Sequence, residues 1–218
     1  MNKNLTELVI VTDRSGSMAQ IAADMNGGIK TMLDKQRQEP GQCNITWFNF
    51  DHSVEHKLDN KPIDQVGDVK IEPRGMTALI DAVCTAIDTV GSRLANTDEN
   101  KRPGAVVFAI VTDGLENASK EYTQEQLKSK IKTQSEEFNW QFTYLGANQD
   151  AFKVALSYGI DFKKVSNYTK ENAKRVFADG VSSLVSTTRM RLSRGDEDFS
   201  NLGFSEKIKA SLNEVKSN

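Results

Sequence analysis

Five consecutive positions, Asp13-Arg14-Ser15-Gly16-Ser17, set one carboxylate and two hydroxyls directly after the apolar run Leu8-Val9-Ile10-Val11. A second carboxylate, Asp113 in Val111-Thr112-Asp113-Gly114, follows a second apolar run. A third kind of donor, Thr77, closes Arg74-Gly75-Met76-Thr77. Singly, each has an ordinary explanation. Asp13 suits an Asx-turn and Asp113-Gly114 a simple turn, while Ser17 and Thr77 suit helix N-caps. Together, Asp13, Ser15, Ser17, Thr77 and Asp113 are all hard oxygen, with no histidine or cysteine among them. That is ligand chemistry for Mg²⁺ or Mn²⁺, with Ca²⁺ also possible, and not for zinc.

Such a set works only if the chain brings it together. Residues 5–12 and 104–112 read as strands with unbroken apolar runs, as expected of strands covered on both faces. Residues 44–50, 54–58, 140–145 and 162–166 read as further strands, the second of them paired through the turn at Asp51-His52. Helices are expected from Met18 to near Pro40-Gly41, with Ile21, Met25, Ile29 and Leu33 on one stripe, and over 77–94, 123–138, 150–158 and 169–188. Gly27-Gly28 interrupts the first helix and suits a close approach to another backbone. Alternating strands and helices predict an α/β fold: a doubly wound, mostly parallel sheet flanked by helices, with one antiparallel edge strand. Ligands of such sheets sit at the carboxyl ends of the strands, where strand order reverses. If the strands before Asp13 and Asp113 are neighbours, both aspartates face one crevice.

Here the chain resembles the von Willebrand factor type A domains that carry a metal-ion-dependent adhesion site. Asp13-Arg14-Ser15-Gly16-Ser17, Thr77 and Asp113 match the DxSxS, Thr and Asp elements in order and placement, over about residues 5–188. The resemblance implies that these hydroxyls and carboxylates hold a divalent cation, directly or through water, and that an open position accepts an Asp or Glu of a protein partner. It implies direct ligation by Ser15 and Ser17, while Thr77 changes between direct and water-mediated contact. Gly16 is expected to let the loop curl around the metal, and Gly75 to let the threonine loop approach. It further implies a binding module and not an enzyme, acting as an accessory or adaptor protein of a bacterial or phage system. A subunit whose metal only stabilises loops, and a metal-dependent hydrolase, are the alternative readings. Arg14 is left without a role, and Glu116 and Asn117 are placed near the metal, where they could tune partner choice.

Composition narrows the field. With 218 residues, Lys+Arg 28 against Asp+Glu 30 and a net charge of -2, the chain lacks the basic excess of a nucleic-acid binder and gives no reason to expect a membrane partner. Cys43 and Cys84 form no CxxC pair, the N-terminal apolar run meets Asp13 too early for a signal peptide, and a cytoplasmic protein is expected. Ser15 stands where an aspartyl-phosphate phosphatase needs a second acid. No GxSxG elbow or glycine-rich phosphate loop is present. His52-Ser53-Val54-Glu55-His56 fits a zinc-peptidase pattern, but in extended chain its histidines stand roughly 13 Å apart, so they read as solvated hairpin residues. Trp140, Phe142 and Tyr144 read as core. Residues 1–188 form the expected domain. Residues 189–218 form a charged linker and a last helix with Phe204, Ile208, Leu212 and Val215 on one face.

Overall fold

The computed structural model describes residues 1–147, 150–196, 198–199 and 201–213. Six strands form one sheet in the order β3-β2-β1-β4-β5-β6. These are β1 (Asn2–Asp13), β2 (Gln42–Phe50), β3 (Val54–Pro62), β4 (Pro103–Thr112), β5 (Gln141–Gly146) and β6 (Val165–Asn167). All pairs are parallel except β2 with β3, so the expected antiparallel strand lies at one edge.

β1 is central, and its alternation explains the continuous apolar run. Leu8 and Ile10 pack with α1 (Ala22–Gln38) and the helices after β6, whereas Val9 and Val11 pack with α2 (Leu79–Ala95) and α3 (Gln124–Phe138). The crossover from β1 to β2 therefore covers one face, and the return to β4 covers the other. Strand order reverses at β1, and the register sets Thr12 beside Val111 and Asp13 beside Phe50. Asp13 and the end of β4 thus meet at one end of the sheet. Trp140, Phe142 and Tyr144 are buried in the second core, where Phe108 stacks against Trp140 at 5.4 Å.

α1 approaches the helices after β6 at Gly28, where a Cβ would stand 2.3 Å from the carbonyl oxygen of Lys174. Only glycine allows that spacing. α3 begins with a capping box, Thr123 Oγ1 accepting from the Gln126 amide while Gln126 Oε1 accepts from the Thr123 amide. After α4 (Ala151–Ser157) and β6, the helix expected over 169–188 is broken into pieces. A 3₁₀ turn at Lys170–Asn172 leads to α5 (Ala173–Arg175), a π turn at Val176–Val181, and α6 (Ser182–Ser193). Val176, Phe177, Val181, Leu184 and Val185 are all buried, as the stripe required.

The structure also departs from the expected boundaries at the starts and ends of other elements. Gly16–Gln20 is a 3₁₀ turn, so α1 starts at Ala22 and not near Met18. β3 runs on to Pro62, and Phe162–Lys164 is a 3₁₀ turn before a shorter β6. Beyond position 188, Phe199 and Leu202 pack on Ala105 and Leu192, and Phe204 and Leu212 join the α1-side core with Ile208 against it. Leu212 belongs to α7 (Glu206–Asn213), while Val215 lies outside the described residues. No helix among the described residues is long and apolar enough to cross a membrane.

Candidate metal centre

The carboxyl ends of β1 and β4 bring the five oxygen residues into one crevice. Ser15 Oγ lies 3.0 Å from Ser17 Oγ, and Ser17 Oγ donates to Asp113 Oδ1 at 2.6 Å. Asp13 is fully buried. Its Oδ1 accepts from the Ser15 amide at 2.6 Å, the Asx-turn the sequence allowed, and its Oδ2 accepts from Thr112 Oγ1 at 2.5 Å. Gly114 links the remaining donor: a Cβ there would stand 3.0 Å from Thr77 Oγ1 and 3.6 Å from Asp13 Oδ2. The threonine hydroxyl therefore faces the same space as the buried aspartate.

Neither hydroxyl is spent on capping. Ser17 lies inside the 3₁₀ turn and makes no cap bond. At α2, the amides of Ile80 and Asp81 are satisfied by Glu116 Oε2 (2.9 Å) and Ser119 Oγ (3.0 Å), with Ala78 and not Thr77 as the residue before the helix. Two carboxylates meeting in a low-dielectric crevice favour their neutral forms. Burial raises Asp13 to about 6 against the bonds from Thr112 and Ser15, and burial likewise raises Asp113. A divalent cation would reverse that penalty. The residues fit one: two carboxylates and three hydroxyls, all hard oxygen, with negative charge that the Lys170 charge eases at Asp113 and leaves in place at Asp13. Among the described residues, no three His, Cys, Asp or Glu side chains gather as a metal-holding group, so any cation here depends on the hydroxyls.

Arg14 acquires a role. It is buried, its Nε donates to Asp51 Oδ2 at 3.1 Å, and its Nη1 bonds Glu55. Asp51 Oδ2 also accepts from Arg74 Nε at 2.7 Å, and Oδ1 accepts from Ser53 N and Oγ. Backbone bonds complete the lattice: Arg14 N to Phe50 O, Arg74 N to Arg14 O, Gly16 N to Gly75 O and Ala78 N to Asp51 O. Asp51 thus ties the Asp13–Ser17 loop to the loop carrying Thr77. Burial alone would raise its carboxyl, but the bonds from Arg74 and Ser53, with the Arg14 charge, hold it at about 2. Gly75 supplies the positive φ (70°) of the threonine loop, and a Cβ there would strike His52 at 2.6 Å. Gly16 has no positive φ, and a Cβ there would meet Gly75 O at an ordinary 3.6 Å, so the loop's curl does not depend on glycine at this position as expected.

Glu116 and Asn117 turn inward. Asn117 Oδ1 accepts from the Thr77 amide (2.9 Å), and the Asn117 amide returns a bond to Thr77 O. Asn117 positions Thr77, and Glu116 holds the first turn of α2 through the Ile80 amide. Sequence reasoning missed Thr112, Asp51 and Arg74, whose partners are far away in the chain. The two histidines do not share a site: His52 lies in the turn 3.3 Å from Asp51 Oδ1, while His56 is stacked on Phe48 at 4.2 Å, and both are exposed, as expected of hairpin residues.

No family model matches the chain, and no curated protein matches it by sequence. Solved structures do match. A von Willebrand factor type A protein from Catenulispora acidiphila is 13% identical with a TM-score of 0.55, over 84% of this chain and 42% of that one. The VWA2 paralog of ArnB from Sulfolobus acidocaldarius is 16% identical at 0.51, over 82% and 45%. The manganese-loaded TRAP protein of Plasmodium vivax is 13% identical at 0.56, over 87% and 75%. The chain spans about half the length of the solved chains it matches first. At these identities the likeness is one of fold, and the fold is of the von Willebrand factor type A class.

Proposed function

We propose that the protein is a divalent-cation-dependent binding module, which uses Mg²⁺ or Mn²⁺ at the Asp13–Ser17 crevice to engage an Asp or Glu of a protein partner. The observation that carries this reading is the convergence of Asp13, Ser15, Ser17, Thr77 and Asp113 at the strand-order reversal. When bound, the cation supplies an electrophile with an open position for a carboxylate. Asp13 and Asp113 offset its charge, Ser15, Ser17 and Thr77 supply neutral oxygens, and the Asp51 lattice holds the two loops in register. A manganese-loaded neighbour of the same fold supports the metal, and a pilus adhesin among the structural matches supports a binding role. A context as an accessory protein in a bacterial or phage cytoplasm belongs to the same proposal.

The test is calorimetric titration with Mg²⁺ and Mn²⁺, followed by affinity capture with wild type and Asp13→Ala, each in Mg²⁺ and in EDTA. The proposal expects saturable cation binding that Asp13→Ala removes, and a partner recovered only by wild type in Mg²⁺. Folded protein that binds neither cation rules out the site. A partner recovered equally in all four conditions rules out the metal bridge and leaves the loop-stabilising reading.

A further inference from the structure

Loops at a polar site are ordinarily built from Gly, Asn, Asp and Ser, yet two of the loops here carry bulky apolar residues on the outside. Met76, next to Thr77, is 54% exposed, and Leu115, next to Gly114, is 53% exposed. The two belong to loops in direct contact: Gly114 packs on the Thr77 side chain, and Asn117 and Thr77 exchange hydrogen bonds. The core does not account for them, since neither joins a buried cluster. Other exposed apolar residues have a different setting. Phe162 packs against Phe152 in a tilted pair at 4.8 Å, and Phe138 lies by the start of β5, at the opposite end of the sheet.

Positive charge brackets the same crevice. Arg74 reaches Asp51 through Nε while its side chain stays 61% exposed. Across the site, Lys170 Nζ bonds the neutral amide of Gln20, on the turn that carries Ser17. Taken with the cation reading above, on which this inference rests, the rim offers a metal, an apolar ledge and two flanking cations.

We propose that the partner segment presents its metal-seeking Asp or Glu within one or two residues of a bulky aliphatic or aromatic side chain, which seats on Met76 and Leu115, inside an acidic stretch that faces Arg74 and Lys170. A carboxylate alone gives the metal contact direction but little selectivity, because acidic residues cover most protein surfaces. The ledge adds the discrimination, since burying one apolar side chain there gains about 1–2 kcal/mol, or about tenfold in affinity.

The test is selection from a displayed library of short peptides with a fixed Asp or Glu and randomised neighbours, on the full chain in Mg²⁺ with elution by EDTA. The expected pool is enriched in Leu, Ile, Met or Phe beside the acid. A synthetic peptide from it should lose about tenfold in affinity to Met76→Ser and to Leu115→Ser, with Mg²⁺ affinity unchanged. Phe138→Ser, an exposed apolar residue at the other end of the sheet, should change nothing. A pool with no apolar preference, or equal affinity for wild type and both ledge variants, overturns the inference and leaves the cation reading standing. If no peptide elutes with EDTA, the cation reading fails, and this inference with it.

Discussion

Asp51 carries a negative charge with no solvent exposure, and two guanidiniums and a serine compensate it. Burial alone would raise its carboxyl, but those partners depress it from 3.8 to about 2, so the folded state holds the proton less tightly than the unfolded chain. The sign follows. The stabilisation is fully present above the unfolded value near 3.8 and is lost as pH falls toward about 2; its size is about 2 kcal/mol. Asp51→Asn keeps the shape and removes the charge, leaving Arg14 buried with only Glu55 opposite. The variant should be less stable by about 2–3 kcal/mol at neutral pH, and urea denaturation should show the gap closing between about pH 4 and pH 2. A gap that does not change with pH would mean that the charge contributes nothing. The residue types of the five-oxygen set were legible because hard-oxygen donors after buried strands are unusual together. Arg14 was not, because its partner stands 37 positions away and no local spacing encodes that pairing. Glu116 and Asn117 were legible as neighbours of the crevice, but turn polarity gives no direction, and the structure points them at backbone amides.

At the scale of elements, α1 and the helix after β6 are held together by an absence of side chain. Gly28 faces the Lys174 carbonyl with no room for a methyl group, whereas a Cβ at Gly27 meets only the flexible end of the Lys174 side chain at 3.6 Å. Gly28→Ala should therefore cost about 2 kcal/mol through forced separation of the helices. Gly27→Ala should be neutral or stabilise by up to about 1 kcal/mol through helix propensity. Denaturant midpoints of the two variants check the contrast, and equal shifts would refute the close approach. The sheet was legible because β1 and β4 are buried on both faces and so cannot alternate. The glycine pair hinted at the helix contact but could not say which of the two makes it. The π turn at Val176–Val181 left no trace in the sequence, since its apolar spacing still fits one buried stripe. β6 was overdrawn at its start because Phe162 reads as a strand residue, yet the Asp161 side chain accepts from the Lys163 amide and winds the backbone into a 3₁₀ turn.

For the whole molecule, the crevice is an electrostatic liability, which on the proposed function a cation would convert into stability. Burial raises Asp13 to about 6 from a model-peptide value of 3.8, so the cation-free fold holds this proton more tightly than the unfolded chain does. This is the reverse of Asp51. The fold is free of the penalty below the unfolded value near 3.8, accumulates it as pH rises through 4 to 6, and carries all of it above 6. Two units correspond to about 3 kcal/mol, a large share of the stability of a domain. On the proposed function, cation binding would remove the penalty and add stability that grows with concentration above the dissociation constant. Thermal unfolding followed from about pH 4 to pH 8 should therefore show two curves that part. In EDTA the melting temperature should fall as Asp13 ionises, and in Mg²⁺ it should hold or rise, the gap opening between about pH 4 and pH 6 and reaching its full size above that. Asp13→Asn separates this cause from general charge effects, because it should flatten the EDTA curve and remove the response to Mg²⁺. Parallel curves for wild type in EDTA and Mg²⁺ would show that the buried carboxylates at the ends of β1 and β4 are not what a cation reads.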